Sequence, residues 1–141
     1  MMMFLFAFTG VMRADELTVH NGTTTNQNVP IYGYWADAFN KCEMVYPASE
    51  LGIMTGGQIS KLTFYAQTAS VSWGSANFQV FVKEVADASI SSYTGTTDAT
   101  IVYTGNLSVS GNKMVVTFDT PYNYEGGNLL VGVYEIAKGS Y

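Results

Sequence analysis

The chain reads as an all-β protein, a two-sheet antiparallel β-sandwich of jelly-roll type with about eight strands. Three observations predict this. Apolar and polar residues alternate in several short runs, most clearly in Lys113–Phe118, and a period of two sends successive side chains to opposite faces of a sheet. Glycine pairs and a Gly-Asn step separate these runs, and glycine supplies positive φ without a Cβ clash. No segment carries the 3.6-residue apolar repeat of a long amphipathic helix.

Taken in order, the first candidate strand is Glu16–His20, where Leu17 and Val19 alternate with outward residues and His20 faces solvent. Pro30–Tyr34 is the second. Tyr32 and Tyr34 share one face there, and Gly33 between them marks a bulge or a close backbone approach. Lys41–Tyr46 follows, with Cys42, Met44 and Tyr46 on one face. Pro47–Leu51 suits a single helical turn with proline at its first position. Gly56-Gly57 then introduces Gln58–Ala66, in which Leu62, Phe64 and Ala66 oppose Lys61, Thr63 and Tyr65. In Asn77–Val85, Phe78, Val80 and Val82 oppose Gln79, Phe81 and Lys83, and Ala86–Ser92 suits a second helical turn. Thr100–Val109 reads as one strand. Gly111-Asn112 turns it into Lys113–Phe118, where Met114, Val116 and Phe118 oppose Lys113, Val115 and Thr117. Gly126-Gly127 leads into the last strand, Asn128–Glu135. One buried face and one wet face is the antiparallel pattern.

At 141 residues the chain has the length of one domain with a substantial core. Apolar residues make up 48%, which excludes a disordered chain. Charged residues make up only 12%, about half the usual share. Gly, Ser, Thr, Asn and Tyr supply the polar surface instead, a mix suited to extracellular β-proteins. The net charge is −5, and the lysines at 41, 61, 83, 113 and 138 are scattered. No basic patch is present for a phosphate backbone, which argues against nucleic acid as a partner.

Residues 1–12, MMMFLFAFTGVM, are almost unbrokenly apolar. The run is too short to span a bilayer, which needs about 20 residues. It has the length of a signal-peptide core, with cleavage expected after Ala14. The expected organisation is therefore an export segment at 1–14 and a β-sandwich domain at 15–141, secreted or on the outer cell surface. The chain stops shortly after its last strand, so it is expected to be the first part of a longer protein with neighbouring domains.

Chemistry is sparse. General acid–base catalysis most often uses histidine, and His20 is the only one. Cys42 is the only cysteine, which rules out an internal disulfide. It reads as a buried, inert thiol, with intermolecular pairing as the alternative. A Cys42–His20 nucleophile pair is formally available, but no characteristic sequence surrounds either residue. Among the acids, Asp37, Glu43, Glu50 and Asp119 could hide a glycosidase pair, whose defining separation a sequence does not give. No metal or other cofactor is expected. Calcium alone stays open, on Asp15, Glu16 and Asp37, because it accepts carboxylates and loop carbonyls. The aromatic residues are more informative. Tyr32, Tyr34, Trp35 and Phe39 cluster in IYGYWADAF, and Trp73 lies in the loop VSWGSAN. Such rings present an apolar face with a polar tip. They either fill the core or form a platform for a ligand, and Tyr32, Tyr34, Trp35 and Trp73 are the candidate ligand-binding residues.

Several segments then fall into a familiar order. They are VPIYGY from Val29 to Tyr34, EMVYPASELG (Glu43–Gly52), GGQISKLTFY (Gly56–Tyr65), NFQVFVKEV (Asn77–Val85), VYTGNL (Val102–Leu107) and TFDTPYNYEGGNLLVGVY (Thr117–Tyr134). The last of these is the most specific. The series resembles a β-sandwich module found near the front of secreted and surface proteins of the Bacteroidetes group. That module is adhesin-like, of the kind associated with cleaved-adhesin and gingipain domains. The resemblance implies a non-catalytic adhesion or carbohydrate-binding module within a longer chain, and carries over no catalytic residue. Its expected partner is a glycan or an extracellular protein. The alternative is a structural spacer or accessory domain of a surface hydrolase.

Overall fold

The computed structural model describes residues 15–19, 22–32 and 39–139. The expected export segment at 1–14, His20, and the stretch holding Gly33, Tyr34, Trp35 and Asp37 lie outside the described residues. The described chain folds into eight strands in two four-stranded sheets, all paired antiparallel. Strand β1 is Lys41–Tyr46, β2 Gln58–Tyr65, β3 Ser70–Ser72, β4 Asn77–Val85, β5 Thr100–Gly105, β6 Ser108–Ser110, β7 Lys113–Asn123 and β8 Asn128–Ala137. Sheet A has the order β1-β8-β4-β5 and sheet B the order β2-β7-β6-β3. One short helix, α1 (Ala48–Leu51), follows Pro47 and runs into a 3-10 turn at Gly52–Met54. Among the described residues no helix is long and apolar enough to cross a membrane. The two-sheet all-β sandwich expected from the alternation is the architecture found.

The core lies between the sheets. Phe78, Val80 and Val82 of β4 and Leu129, Val131 and Val133 of β8 meet Met114, Val116 and Phe118 of β7. These are the alternate positions that period two selects. Glycine and asparagine shape the turns: Gly111 and Asn112 take φ of 59° and 62° between β6 and β7, and Gly126 takes φ 116° before β8. Two consecutive left-handed residues are what a tight hairpin requires.

Several expectations are corrected. Residues 16–19 are not a strand. Leu17 and Val19 do pack against the core, but among the described residues no strand offers their backbone a ladder. Residues 30–32 also form no strand with any described residue. Ile31 is buried in the core, while Pro30 has no N–H to donate. The single strand expected over Thr100–Val109 breaks at Asn106-Leu107. There the chain leaves sheet A for sheet B, with Leu107 buried at the corner and the Asn106 amide donating to the carbonyls of Gly74 and Ala76 at 2.8 and 3.0 Å. Ala86–Ser92 forms no helical turn and belongs to a long covering loop. Strand β3, only three residues long, is an additional element; Ser-Val-Ser looks like turn composition. Strand β7 also runs beyond Phe118. Its pairing with β2 jumps between Ile59–Tyr122 and Lys61–Thr117, so Pro121 sits in an irregular stretch where a missing N–H costs no ladder bond.

The expectation of one wet face per sheet also needs correction for sheet A. Phe81 and Leu130 point away from the main core, yet both are 0% exposed. Residues 86–99 fold over them as a flap. Gly132 on β8 lies opposite Phe81 in the ladder. A Cβ added there would sit 2.0 Å from the Phe81 ring, so the ring covers a position where only glycine fits. Gly132→Ala is expected to destabilise by about 1–3 kcal/mol, because the enclosed ring has no room to move. Gly52 has φ −53° and open space around its Cα, so Gly52→Ala should be neutral or stabilise by up to about 1 kcal/mol. Urea unfolding midpoints at unchanged slope read both outcomes; equal midpoints for the two variants would contradict the packing argument.

Candidate functional site

Two surface features bring functional side chains together. The first is on the outer face of sheet A. Glu43 is an outward residue of β1, paired across from Gly132. Its Oε2 accepts from the Thr94 backbone N–H at 2.8 Å and the Thr94 hydroxyl at 2.9 Å. Its Oε1 accepts from the Gly95 N–H at 2.9 Å and from the Tyr134 hydroxyl. The Lys83 ammonium donates to the carbonyls of Gly95 and Thr97 at 2.9 and 3.1 Å, and the Tyr93 hydroxyl donates to the Lys41 carbonyl at 2.9 Å. Tyr134 is boxed edge-on by Phe81 and Tyr93, with the Lys41 ammonium 5.1 Å from its ring centroid.

Glu43 therefore acts as a clamp on the flap. A hollow of about 390 Å³ beside it is lined by Glu43, Ile90, Ser91, Ser92 and Tyr93, but both carboxylate oxygens are already occupied. Burial pushes the Glu43 carboxyl up, while the hydrogen bonds from Tyr134, Thr94 and Gly95 together outweigh it and leave the group below its ordinary 4.5. Burial, and then the bond to Glu43, holds the Tyr134 phenol well above its ordinary range.

The second feature is a groove of about 610 Å³ on the seam where the two sheets expose their outermost strands, β1 and β2. Val19, Gly22, Thr24, Tyr46, Thr63, Phe64 and Tyr65 line it. The extended N-terminal segment forms one wall because Leu17 and Val19 anchor it to the core. Tyr46, at the inner face of β1, is partly buried, and burial raises its phenol above the ordinary value. Phe64 comes from the inner face of β2 and Tyr65 from its outer face, so the open strand edge presents both to the groove. Tyr65 is 61% exposed. The Lys113 ammonium, its cross-strand neighbour, lies 5.5 Å from the ring centroid. The lining holds rings and hydroxyls that stack and hydrogen-bond.

The candidate residues named from the sequence disperse. Trp73 is 4% exposed and packs edge-on against Phe78 with centroids 5.9 Å apart, so its ring belongs to the core. Tyr32 is half exposed, as is Phe39, over which the Lys138 ammonium sits at 5.1 Å. Tyr34 and Trp35 lie outside the described residues. The described residues Ile31 and Asn40 are both held in place. Ile31 is in the core, and Asn40 is held by Glu135, whose Oε2 accepts from the Asn40 N–H at 2.7 Å and its side-chain amide at 3.3 Å. Glu135 is itself buried, and its Oε1 is the one buried side-chain oxygen without a hydrogen-bond partner among the described residues.

The acids considered for a glycosidase pair fall on separate elements: Glu43 on β1, Glu50 on α1 and Asp119 on β7, with Asp37 outside the described residues. Asp15 and Glu16, considered for calcium, are exposed, and no group of three His, Cys, Asp or Glu occurs among the described residues. Sequence reasoning missed Tyr46 and Tyr65. Alternation had placed Tyr65 outward and Tyr46 inward, but nothing local said that both strands are sheet edges. No protein-family model matches the chain, and no curated protein or solved structure matches it.

Glu43 has a lowered folded-state pKa, so its contribution is present above 4.5 and is lost as pH falls through the lower folded value. Glu43→Gln should cost about 1 kcal/mol at pH 7 and speed hydrogen exchange at the Thr94 and Gly95 amides; the deficit should shrink toward acid. A deficit constant over pH would show that the carboxylate is not the clamp. Burial pushes the Cys42 thiol up to about 11, with the Glu43 charge acting the same way. Thiolate is then roughly one part in a thousand at pH 8. A disulfide reagent should leave the native thiol unmodified and react fully only in denaturant, and rapid native labelling would show that Cys42 is accessible.

Proposed function

We propose that this protein is a non-catalytic binding module of the secreted or cell-surface kind, and that the seam groove is where it takes a glycan. The observation that carries the reading is the exposed Tyr65 ring at the rim of a groove otherwise lined by Tyr46, Phe64 and the Thr24 and Thr63 hydroxyls. A sugar ring offers a C–H face to an aromatic ring and hydroxyls to threonine, and this lining supplies both partners. The volume is within the range of ligand sites. Among the described residues that line it, none is a carboxylate, histidine or lysine. The apolar segment at 1–12, the low charge content and the adhesin-like order of segments support an extracellular setting within a longer chain.

The test is a glycan array followed by calorimetric titration of the binding glycan. Tyr65→Ala should weaken binding by about 1–2 kcal/mol and leave the thermal midpoint unchanged, because the ring is mostly exposed. Glycan binding that is indifferent to both Tyr65→Ala and Tyr46→Ala would place the site elsewhere, and an array without signal would remove the reading.

A further inference from the structure

We infer that the groove and the adjoining outer face of sheet B select an acidic polysaccharide, one whose sugar units carry carboxylate or sulfate. The inference rests on the reading of the groove as a glycan site and names the class of glycan.

The chain as a whole is acidic, at −5. The strip beside the groove is not. On the outer face of sheet B the ladder pairs Tyr65 with Lys113, Thr63 with Val115, and Lys61 with Thr117. Lys61, Tyr65, Lys113, Val115 and Thr117 are exposed. Neither lysine pairs with an acid among the described residues. Asp119, two residues beyond Thr117 on β7, moderates the charge at the Lys61 end, so the uncompensated positive charge is greatest at Lys113. The next strand over, β6, adds the exposed hydroxyls of Ser108 and Ser110. Lys61 and Tyr65 are four residues apart on one strand, roughly 13 Å, a span that suits a polymer lying along β2 better than a single sugar.

The Lys113–Tyr65 contact supplies the selectivity. The ammonium sits against the ring that a sugar would cover. A neutral sugar stacking on that face of Tyr65 displaces the ammonium and offers it only neutral hydroxyl acceptors in place of the cation–π contact. An acidic sugar displaces it too, but receives it on its own carboxylate or sulfate in a charge-assisted hydrogen bond. The same ring therefore favours anionic units over neutral ones, while the hydroxyls of Thr24 and Thr63 accept either.

The experiment titrates the full chain with polygalacturonate and chondroitin sulfate, and with dextran and amylose as neutral polymers, at about 50 and about 300 mM NaCl. The acidic polymers should bind about tenfold more tightly than the neutral ones, and the difference should shrink at high salt. Lys113→Gln should remove that advantage, weakening the acidic polymers while dextran, with no ammonium left to displace, binds somewhat more tightly; Lys113→Arg should keep it, and Tyr65→Ala should weaken both polymer classes. Equal affinity for acidic and neutral polymers, or acidic binding untouched by Lys113→Gln, overturns the inference and leaves the glycan reading standing. Polyglutamate binding as tightly as polygalacturonate also overturns it, because charge alone would then suffice. Failure of every polysaccharide to bind removes both.

Discussion

Sheet A carries apolar side chains on both of its faces, and the rest of the molecule is arranged around that constraint. Phe78, Val80, Val82, Leu129, Val131 and Val133 face inward; Phe81 and Leu130 face outward, with Gly132 between them. A sheet that is wet on one side needs one cover, whereas this one needs two. Sheet B covers the inside. The flap of residues 86–99 covers the outside, and a satellite cluster under a long loop is the usual form of such a second core. The flap has little apolar mass of its own. It holds its place through the polar bonds of Glu43 and Lys83, with Tyr93 and Tyr134 filling the space between.

The few charged residues share this kind of task. Glu43 on β1 accepts the N–H groups of Thr94 and Gly95; Glu84 on β4 accepts those of Glu125 and Gly127 at 2.6 and 2.5 Å; Glu135 on β8 accepts that of Asn40. Each carboxylate fixes a loop to a strand of sheet A through charge-assisted bonds, which are stronger than neutral ones. Gly127 follows from the same arrangement, since a Cβ there would meet the Glu84 carboxylate at 2.6 Å. Four of the lysines take rings and carbonyls: Lys41 on Tyr134, Lys113 on Tyr65, Lys138 on Phe39, and Lys83 on the flap. A low charge content is thus consistent with well-held loops, because these three glutamates each serve backbone amides.

The strands with strong alternation were legible from the sequence. Lys41–Tyr46 and Asn77–Val85 have the ends that their patterns imply, and β2 differs by one residue. Local pattern failed where tertiary context decides. Thr100–Val109 alternates through Asn106, and only the Asn106 bonds to Gly74 and Ala76 reveal a corner between sheets. Phe81 sits in an outward register, so period two assigns it to solvent, and only the flap buries it. Trp73 occupies a loop that looks exposed by composition, while Phe78 and the core claim its ring. The groove was the least legible feature. Tyr46 and Tyr65 are brought together by sheet order, and sheet order is a property of long-range pairing that no window of sequence contains.

The same sheet order explains why a binding surface falls at the seam. A sandwich has two outer faces and the gaps between its sheet edges. In this chain the flap occupies one outer face, and its clamp leaves Glu43 no free oxygen for a ligand. The corner at Asn106-Leu107 carries the chain directly from sheet A to sheet B on the β5 side. On the opposite side, β1 and β2 end their sheets with no strand bridging them among the described residues, and the described N-terminal segment lies at the gap with side-chain anchors at Leu17 and Val19. A gap closed by side chains alone leaves backbone edges and ring faces within reach of a ligand. Tyr46, Phe64 and Tyr65 converge there from three different sheet faces, which is how a fold whose sequence contains no recognisable motif still assembles a concave aromatic surface.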